Sequence, residues 1–202
     1  MLNTDSELDI KQDHGKPHLY LNKGEVLCKL THNPSRQLVV SVGNIRIADI
    51  GTVFSVRKTD NDVRVIVKEG EVRISGAGAL EEPVAQNQRA VVAVSVTHSM
   101  IDNLSAEEVD RKLSWQFGRL TFQNERAASV VDEINRYNAS TKIVITDPVI
   151  ANQSITMVVN PANPTDFVTR FLGLHPDAKW DVTTSGKGIS TYQLQGGFSD
   201  SE

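Results

Sequence analysis

The sequence predicts an α+β protein in two successive parts, an all-β antiparallel domain over residues 1–98 and a duplicated β-α-β domain over residues 116–202. Three observations carry that reading. Up to about residue 96 apolar residues recur at every second position and almost never at helical spacing. A helix start signal sits at Ser105 and Glu108, inside a connecting helix and linker over residues 99–115. After Trp115, β-branched runs alternate with helix-spaced ones.

In the first part, Leu38 to Val42, Asn44 to Ile47, Thr52 to Val56 and Ala90 to Val96 read as short strands. They are punctuated by Gly24, Asn33-Pro34, Gly43, Gly51 and Gly76-Ala77-Gly78. Val63, Val65 and Val67 alternate with Arg64, Ile66 and Lys68, and Val72 and Ile74 with Arg73 and Ser75. Glu69-Gly70 between them reads as a turn, so the two runs are expected to form a β-hairpin. Leu104 to Trp115 reads as a short connecting helix, in which Ser105 and Glu108 satisfy the amides that a helix start leaves unbonded.

In the second part, Arg119 to Phe122 is a strand and Asn124 a cap for a helix carrying Ala127, Val130, Val131, Ile134 and Tyr137. Lys142 to Thr146 is the next strand, and Asp147-Pro148 ends the unit. The order then repeats: strand Ile155 to Val159, cap Asn163 with Pro164 at the first helical position, and a helix face of Phe167, Val168, Phe171 and Leu172. Gly173 stops that helix, strand Lys179 to Thr183 follows, and after Gly186-Lys187-Gly188 comes a last strand, Ser190 to Gln195. Two such units are expected to share one small sheet with both helices on one face, leaving the other face and at least one edge open.

Composition excludes several classes. The 202 residues are 39% hydrophobic and 23% charged, as in ordinary globular proteins, which argues against disorder, collagen and coiled coil. The net charge of −4 lacks the general attraction to phosphate that nucleic-acid binders use, so no nucleic-acid partner is expected. A single cysteine, Cys28, cannot form an internal bridge. No apolar run reaches the roughly 18 residues of a membrane-spanning helix. The first residues, Met1 to Glu7, lack the pattern of a signal peptide, so the chain is expected to be either cytosolic or cut from a longer one.

No catalytic or metal constellation assembles, so neither a catalytic residue nor a cofactor is expected. Asp132-Glu133 point in different directions on a helix, and Glu107-Glu108 suit a first helical turn. His14 and His18 have ligand spacing, but Gly15 and Pro17 break the helix that would align them; Cys28 and His32 lie in a strand region. There is no G-x-S-x-G elbow, and the glycine pairs are too short for nucleotide loops. Trp115, Phe117, Leu120 and Phe122, at the join of the two parts, are expected to serve core and interdomain packing.

A family resemblance emerges from a series of signposts. Leu2-Asn3-Thr4, Leu21-Asn22-Lys23-Gly24-Glu25, Ile50-Gly51-Thr52-Val53-Phe54-Ser55-Val56 and Val67-Lys68-Glu69-Gly70-Glu71-Val72 resemble, in order and spacing, FecR-type sigma regulators. Trp115-Gln116-Phe117-Gly118-Arg119-Leu120-Thr121-Phe122 and Glu133-Ile134-Asn135-Arg136-Tyr137 resemble that family's later signposts. The part after Trp115 is also similar to the secretin and TonB short N-terminal (STN) domain.

The resemblance implies a non-enzymatic receiver of signals, the periplasmic region of a single-pass inner-membrane regulator (anti-sigma factor). It implies as partner the signalling domain of an outer-membrane TonB-dependent siderophore receptor. It also implies an extracytoplasmic-function sigma factor bound through a cytoplasmic segment absent from this chain, and hence control of iron uptake. The expected docking sites are strand edges, which bind by main-chain hydrogen bonds: Thr156, Met157 and Val158, and Thr191, Tyr192, Gln193 and Leu194. Either edge could also serve a homodimer. The alternative is an envelope module that binds peptidoglycan or another glycan through an aromatic platform on the β-rich half.

Overall fold

The structure, a computed structural model, describes residues 1–13, 16–30, 37–49, 51–76, 83–94, 99–186 and 189–195. The turns expected at Asn33-Pro34, at residues 77–78 and at residues 187–188 lie outside them, as do His14, His32 and the end of the run to Val96. The chain divides into two compact units, Met1–Leu113 and Ser114–Glu202.

Among its described residues the first unit has ten strands: β1 (Glu7–Asp13), β2 (Lys16–Lys29), β3 (Val39–Val42), β4 (Ile45–Asp49), β5 (Val53–Lys58), β6 (Asp62–Glu69), β7 (Glu71–Gly76), β8 (Val84–Ala85), β9 (Gln88–Ala93) and β10 (Ser99–Asn103). They join in the order β10-β9-β6-β5-β2-β3-β4-β7-β8, with β1 also on β2. The long β2 explains this continuity: its first half pairs with β1 and β3, its second half with β5. Gly24, at φ +82°, stands between the halves, where a Cβ would lie 2.6 Å from the Asp5 carbonyl oxygen. β8 also touches β6 and β9, so the sheet nearly closes around a core that includes Leu21, Val40, Ile47, Phe54, Val56, Val63, Val65, Val67 and Val72.

Two expectations for this unit are corrected. β6 and β7 do not form a hairpin: β6 pairs with β5 and β9, and β7 with β4 and β8. Strands facing one core from opposite sides bury alternate residues just as a hairpin does, so Val63, Val65, Val67, Val72 and Ile74 fit both arrangements. Gly70 makes the corner at φ +78°, where a Cβ would meet the Gly51 carbonyl oxygen at 2.8 Å. The strands are also not all antiparallel, because His18, Leu19 and Tyr20 of β2 run parallel to Val39, Val40 and Ser41 of β3.

The connecting helix is α1 (Ala106–Lys112), and it belongs to the first unit. Its capping box forms as the sequence predicts: Glu108 N donates to Ser105 Oγ at 3.1 Å and Ser105 N to Glu108 Oε2 at 2.7 Å. Val109 and Leu113 are buried, and Lys68 of β6 pairs with Asp110 at 2.7 Å.

The second unit opens with a 3₁₀ turn (Ser114–Phe117) and continues with β11 (Leu120–Arg126), α2 (Ala127–Arg136), β12 (Thr141–Ile145) and α3 (Pro148–Asn152). Then come β13 (Ser154–Val159), α4 (Pro164–Leu174), β14 (Lys179–Thr184) and β15 (Ser190–Gln195). Strand-helix-strand order therefore occurs twice, but the expected single sheet does not. β11 pairs antiparallel with β13, while β12, β15 and β14 form a separate three-stranded sheet in that order. The first and second strands of each strand-helix-strand segment lie in different sheets, β11 and β13 in one and β12 and β14 in the other. α2 packs against strands of both sheets, β11 and β13 of one and β12 of the other, and against α3, and its Ala127, Val130, Val131 and Ile134 are all buried.

Local chemistry differs from expectation at two turns. Asn124 does not cap α2; it sits at φ +53° where β11 bulges, and the cap position falls two residues later, at Arg126, which makes no side-chain cap, so the helix begins at Ala127. Asp147-Pro148 does end β12, yet it also starts α3, with Asp147 Oδ1 accepting from Val149 N at 2.7 Å.

Candidate functional site

The sequence directs attention to strand edges, and the two candidates separate clearly. β15 is not an edge. It lies between β12 and β14, Gln193 standing opposite Val144 on one side and Asp181 on the other. Ser190 N donates to Ser140 O and Leu194 O accepts from Thr146 N on the β12 side, so Thr191 and Gln193 direct their main-chain groups to β14. Thr191, Tyr192, Gln193 and Leu194 thus have no unpaired backbone to offer, and Leu194 is wholly buried. The last strand in sequence was expected at the border of the sheet, but it is inserted between its predecessors.

β13 is an edge: among the described residues it pairs with β11 alone. Ala127 N donates to the Gln153 carbonyl at 2.9 Å, which fixes the alternation. Ile155, Met157 and Val159 direct main-chain groups to β11, whereas Ser154, Thr156 and Val158 direct theirs outward. The side chains alternate in the same sense. Ile155, Met157 and Val159 are buried; Ser154, Thr156 and Val158 are exposed, Val158 at 47%. Thr156 Oγ1 accepts from Asn124 N at 3.1 Å, tying β13 to the bulge.

Sheet borders in proteins normally carry charge, which discourages unwanted pairing. β10, β11, β12 and β14 each contain at least one charged residue, as does β1, whereas β13 reads Ser-Ile-Thr-Met-Val-Val. It is a high-propensity, uncharged strand with an open side, and among these borders it is the one best suited to receive another strand.

The aromatic group at the join is less uniform than expected. Trp115 and Leu120 are buried, and Phe122 is half-buried opposite Met157. Phe117 is 66% exposed, with the Arg119 guanidinium 5.8 Å from its ring centre, so it does not serve core packing.

The other polar clusters are structural. His18 Nε2 and Ser41 Oγ lie 2.7 Å apart, but both residues are buried and the imidazole stacks on Tyr20. A substrate has no approach to that pair. Cys28 is buried in the core. Among the described residues no group of three or more His, Cys, Asp or Glu side chains could hold a metal ion. Two carboxyls are held below their ordinary range by helix-terminus geometry. For Glu108 the causes are first the Ser105 amide and then its hydroxyl; for Asp166 it is chiefly the Asn160 amide, with Arg170 adding to it. Up to Leu113 the sequence contains only two Phe, Trp or Tyr residues, Tyr20 and Phe54. Phe54 is fully buried and Tyr20 is covered by His18, so the aromatic platform required by a glycan-binding reading of the β-rich half does not form.

Comparison with known proteins adds to this geometry. Residues 1–73 match the family model described as FecR protein. Two crystal structures of a "putative anti-sigma factor" from Parabacteroides distasonis ATCC 8503 superpose with TM-scores of 0.71 and 0.70, at 16% and 15% identity. Each alignment covers 96% of this chain and 88% of the other, which shows a shared fold. No curated protein sequence matches the chain. Among the described residues no helix is long and apolar enough to cross a membrane.

Proposed function

We propose, from the match of residues 1–73 to the FecR family model, that this chain is a non-enzymatic signalling regulator of that kind and a periplasmic receiver in which β13 docks a strand of a partner's signalling domain. The partner is the N-terminal signalling domain of an outer-membrane TonB-dependent siderophore receptor. Its arrival alters how the membrane-anchored regulator acts on an extracytoplasmic-function sigma factor, which the regulator contacts through a cytoplasmic segment outside this chain. The observation that supports this reading is the open, uncharged side of β13, with the main-chain groups of Ser154, Thr156 and Val158 directed outward. Backbone pairing supplies attraction, while the exposed Thr156 and Val158 side chains supply choice of partner.

The test is calorimetric titration of the full chain with isolated receptor signalling domains, repeated with Val158→Pro and Val158→Lys. The proline removes a donor that points away from β11, so the internal ladder survives. The lysine leaves the backbone intact and puts a charge on the edge. Each folded variant is expected to bind at least about tenfold more weakly, a loss of about 1.4 kcal/mol. Binding that is unchanged in both variants, with wild-type circular dichroism, overturns the assignment of this edge; absence of binding by any receptor domain overturns the receptor as partner.

A further inference from the structure

We propose that two copies of this chain associate through β14, joining their three-stranded sheets into one six-stranded antiparallel sheet about a two-fold axis at Val182. All six residues of β14 are exposed, although two are large and apolar, Trp180 at 39% and Val182 at 48%. Among the described residues β14 pairs with β15 alone. The direction of its main-chain groups follows from the hairpin. Ser185 N donates to Ile189 O at 2.9 Å, so Thr183 and Asp181 bond to β15, and Thr184, Val182 and Trp180 present their amides and carbonyls outward.

A two-fold antiparallel pairing must place an outward residue opposite an outward residue, which leaves few registers. Centring on Trp180 overlaps only residues 179–181 of each strand and uses Ala178, whose amide already donates to His175 O. Centring on Asp181 sets two carboxylates face to face, which is destabilising. Centring on Val182 uses nearly the whole strand and supplies six main-chain hydrogen bonds about the axis, two from the Val182 pair and four from Trp180 opposite Thr184 of the other copy. Asp181 then faces Thr183 of the other copy, so no like charges meet.

Side chains support the same register. Ile143, Tyr192 and Val182 stand in one row across β12, β15 and β14. The two-fold extends it without a break into Val182, Tyr192 and Ile143 of the second copy. Trp180 stacks on Tyr192, with ring centres 5.1 Å apart and planes 17° apart, so the indole is held in place beside the axis. The pairing covers the apolar side chains that β14 leaves exposed. It uses a different strand from β13, and its failure leaves the receptor proposal standing.

The test uses the full chain. Sedimentation equilibrium is expected to show a concentration-dependent dimer that Val182→Lys shifts toward monomer by at least about tenfold in dissociation constant, with unchanged circular dichroism and thermal midpoint. Val182→Cys places two thiols in a bonded antiparallel pair, at a Cα separation of about 5.5 Å that a disulfide spans. Mild oxidation should therefore give a covalent dimer. Asp181→Cys, offset by two residues from its counterpart, should not. A wild-type chain that stays monomeric up to its solubility limit, or equal cross-linking at positions 181 and 182, overturns the proposal. Loss of receptor-domain binding in Val182→Lys from a monomeric wild type overturns it too, and assigns the edge to the receptor.

Discussion

Replacing Gly24 with alanine probes the bend that lets β2 serve two parts of the first unit's sheet. The residue has φ +82°, and an added Cβ would lie 2.6 Å from both the Asp5 carbonyl oxygen and the Ser6 Cα, backbone atoms that cannot rotate away. Left-handed backbone costs an L-residue about 1–2 kcal/mol, and forcing an atom into occupied space about 1–3 kcal/mol more, giving about 3 kcal/mol in all. Gly43 is the internal control: it has φ +58° with nothing within 4 Å of its Cβ position, so Gly43→Ala should lose only the first part, about 1 kcal/mol. Urea unfolding followed by far-ultraviolet circular dichroism reads the strand-rich first unit. Trp115 and Trp180, both in the second unit, report that unit separately by fluorescence. With an m-value of about 2 kcal/mol per molar, the first-unit midpoint should fall by about 1.5 M for Gly24→Ala and about 0.5 M for Gly43→Ala, the fluorescence midpoint staying fixed. Equal shifts for the two variants would refute the close approach of residues 5–6 to the bend.

Two further outcomes follow from the packing and the caps. The Glu108 carboxyl is lowered from 4.5 by its bonds to Ser105, so the folded state binds its proton less readily than the unfolded chain does. That contribution is present above the unfolded value and lost as pH falls through the folded one: Glu108→Gln should reduce the thermal midpoint at pH 7 and leave little difference from wild type near pH 3. In the second unit, Phe171 is fully buried, with its ring 5.7 Å from that of Phe167, so Phe171→Ala should destabilise that unit by about 3–5 kcal/mol as read by tryptophan fluorescence.

The sequence was most informative where a local signal has one physical reading. The Ser105–Glu108 box, Pro164 at the start of α4 and the strand Ser190–Gln195 are each found where local chemistry places them. Pairing between strands was legible only in part, because alternation reports which residues are buried and not which neighbour covers them. Val63 to Val67 and Val72 to Ile74 bury one face each, whether they bond to one another or oppose each other across a core. β1 and β2 escaped notice for a different reason. Pro17, Lys23, Gly24 and Glu25 interrupt the apolar period, yet Glu25 is buried, with its carboxylate accepting from Asn3 Nδ2 at 2.8 Å, and Gly24 allows the bend. The same limit decided the candidate site: propensity identified β13 and β15 equally, and only the sheet order distinguishes a border strand from a central one.

What β13 can supply also bounds the kind of encounter it supports. Three outward residues provide at most six main-chain hydrogen bonds to an added strand, each worth about 0.5–1.5 kcal/mol net, hence about 6 kcal/mol in total. Association costs about 4–15 kcal/mol in lost freedom, so backbone pairing by itself yields weak attraction or none. The remainder must come from side chains that the edge places in reach, and Val158 stands first among them: it is apolar, 47% exposed and flanked by outward-directed backbone on β13. Covering such a side chain contributes about 1–2 kcal/mol. A receptor domain that met β13 through backbone alone would dissociate at once and show no preference among regulators, whereas one with an apolar group seated against Val158 gains both attraction and selectivity. For that reason Val158→Lys, which leaves every main-chain bond available, is the more searching of the two edge substitutions.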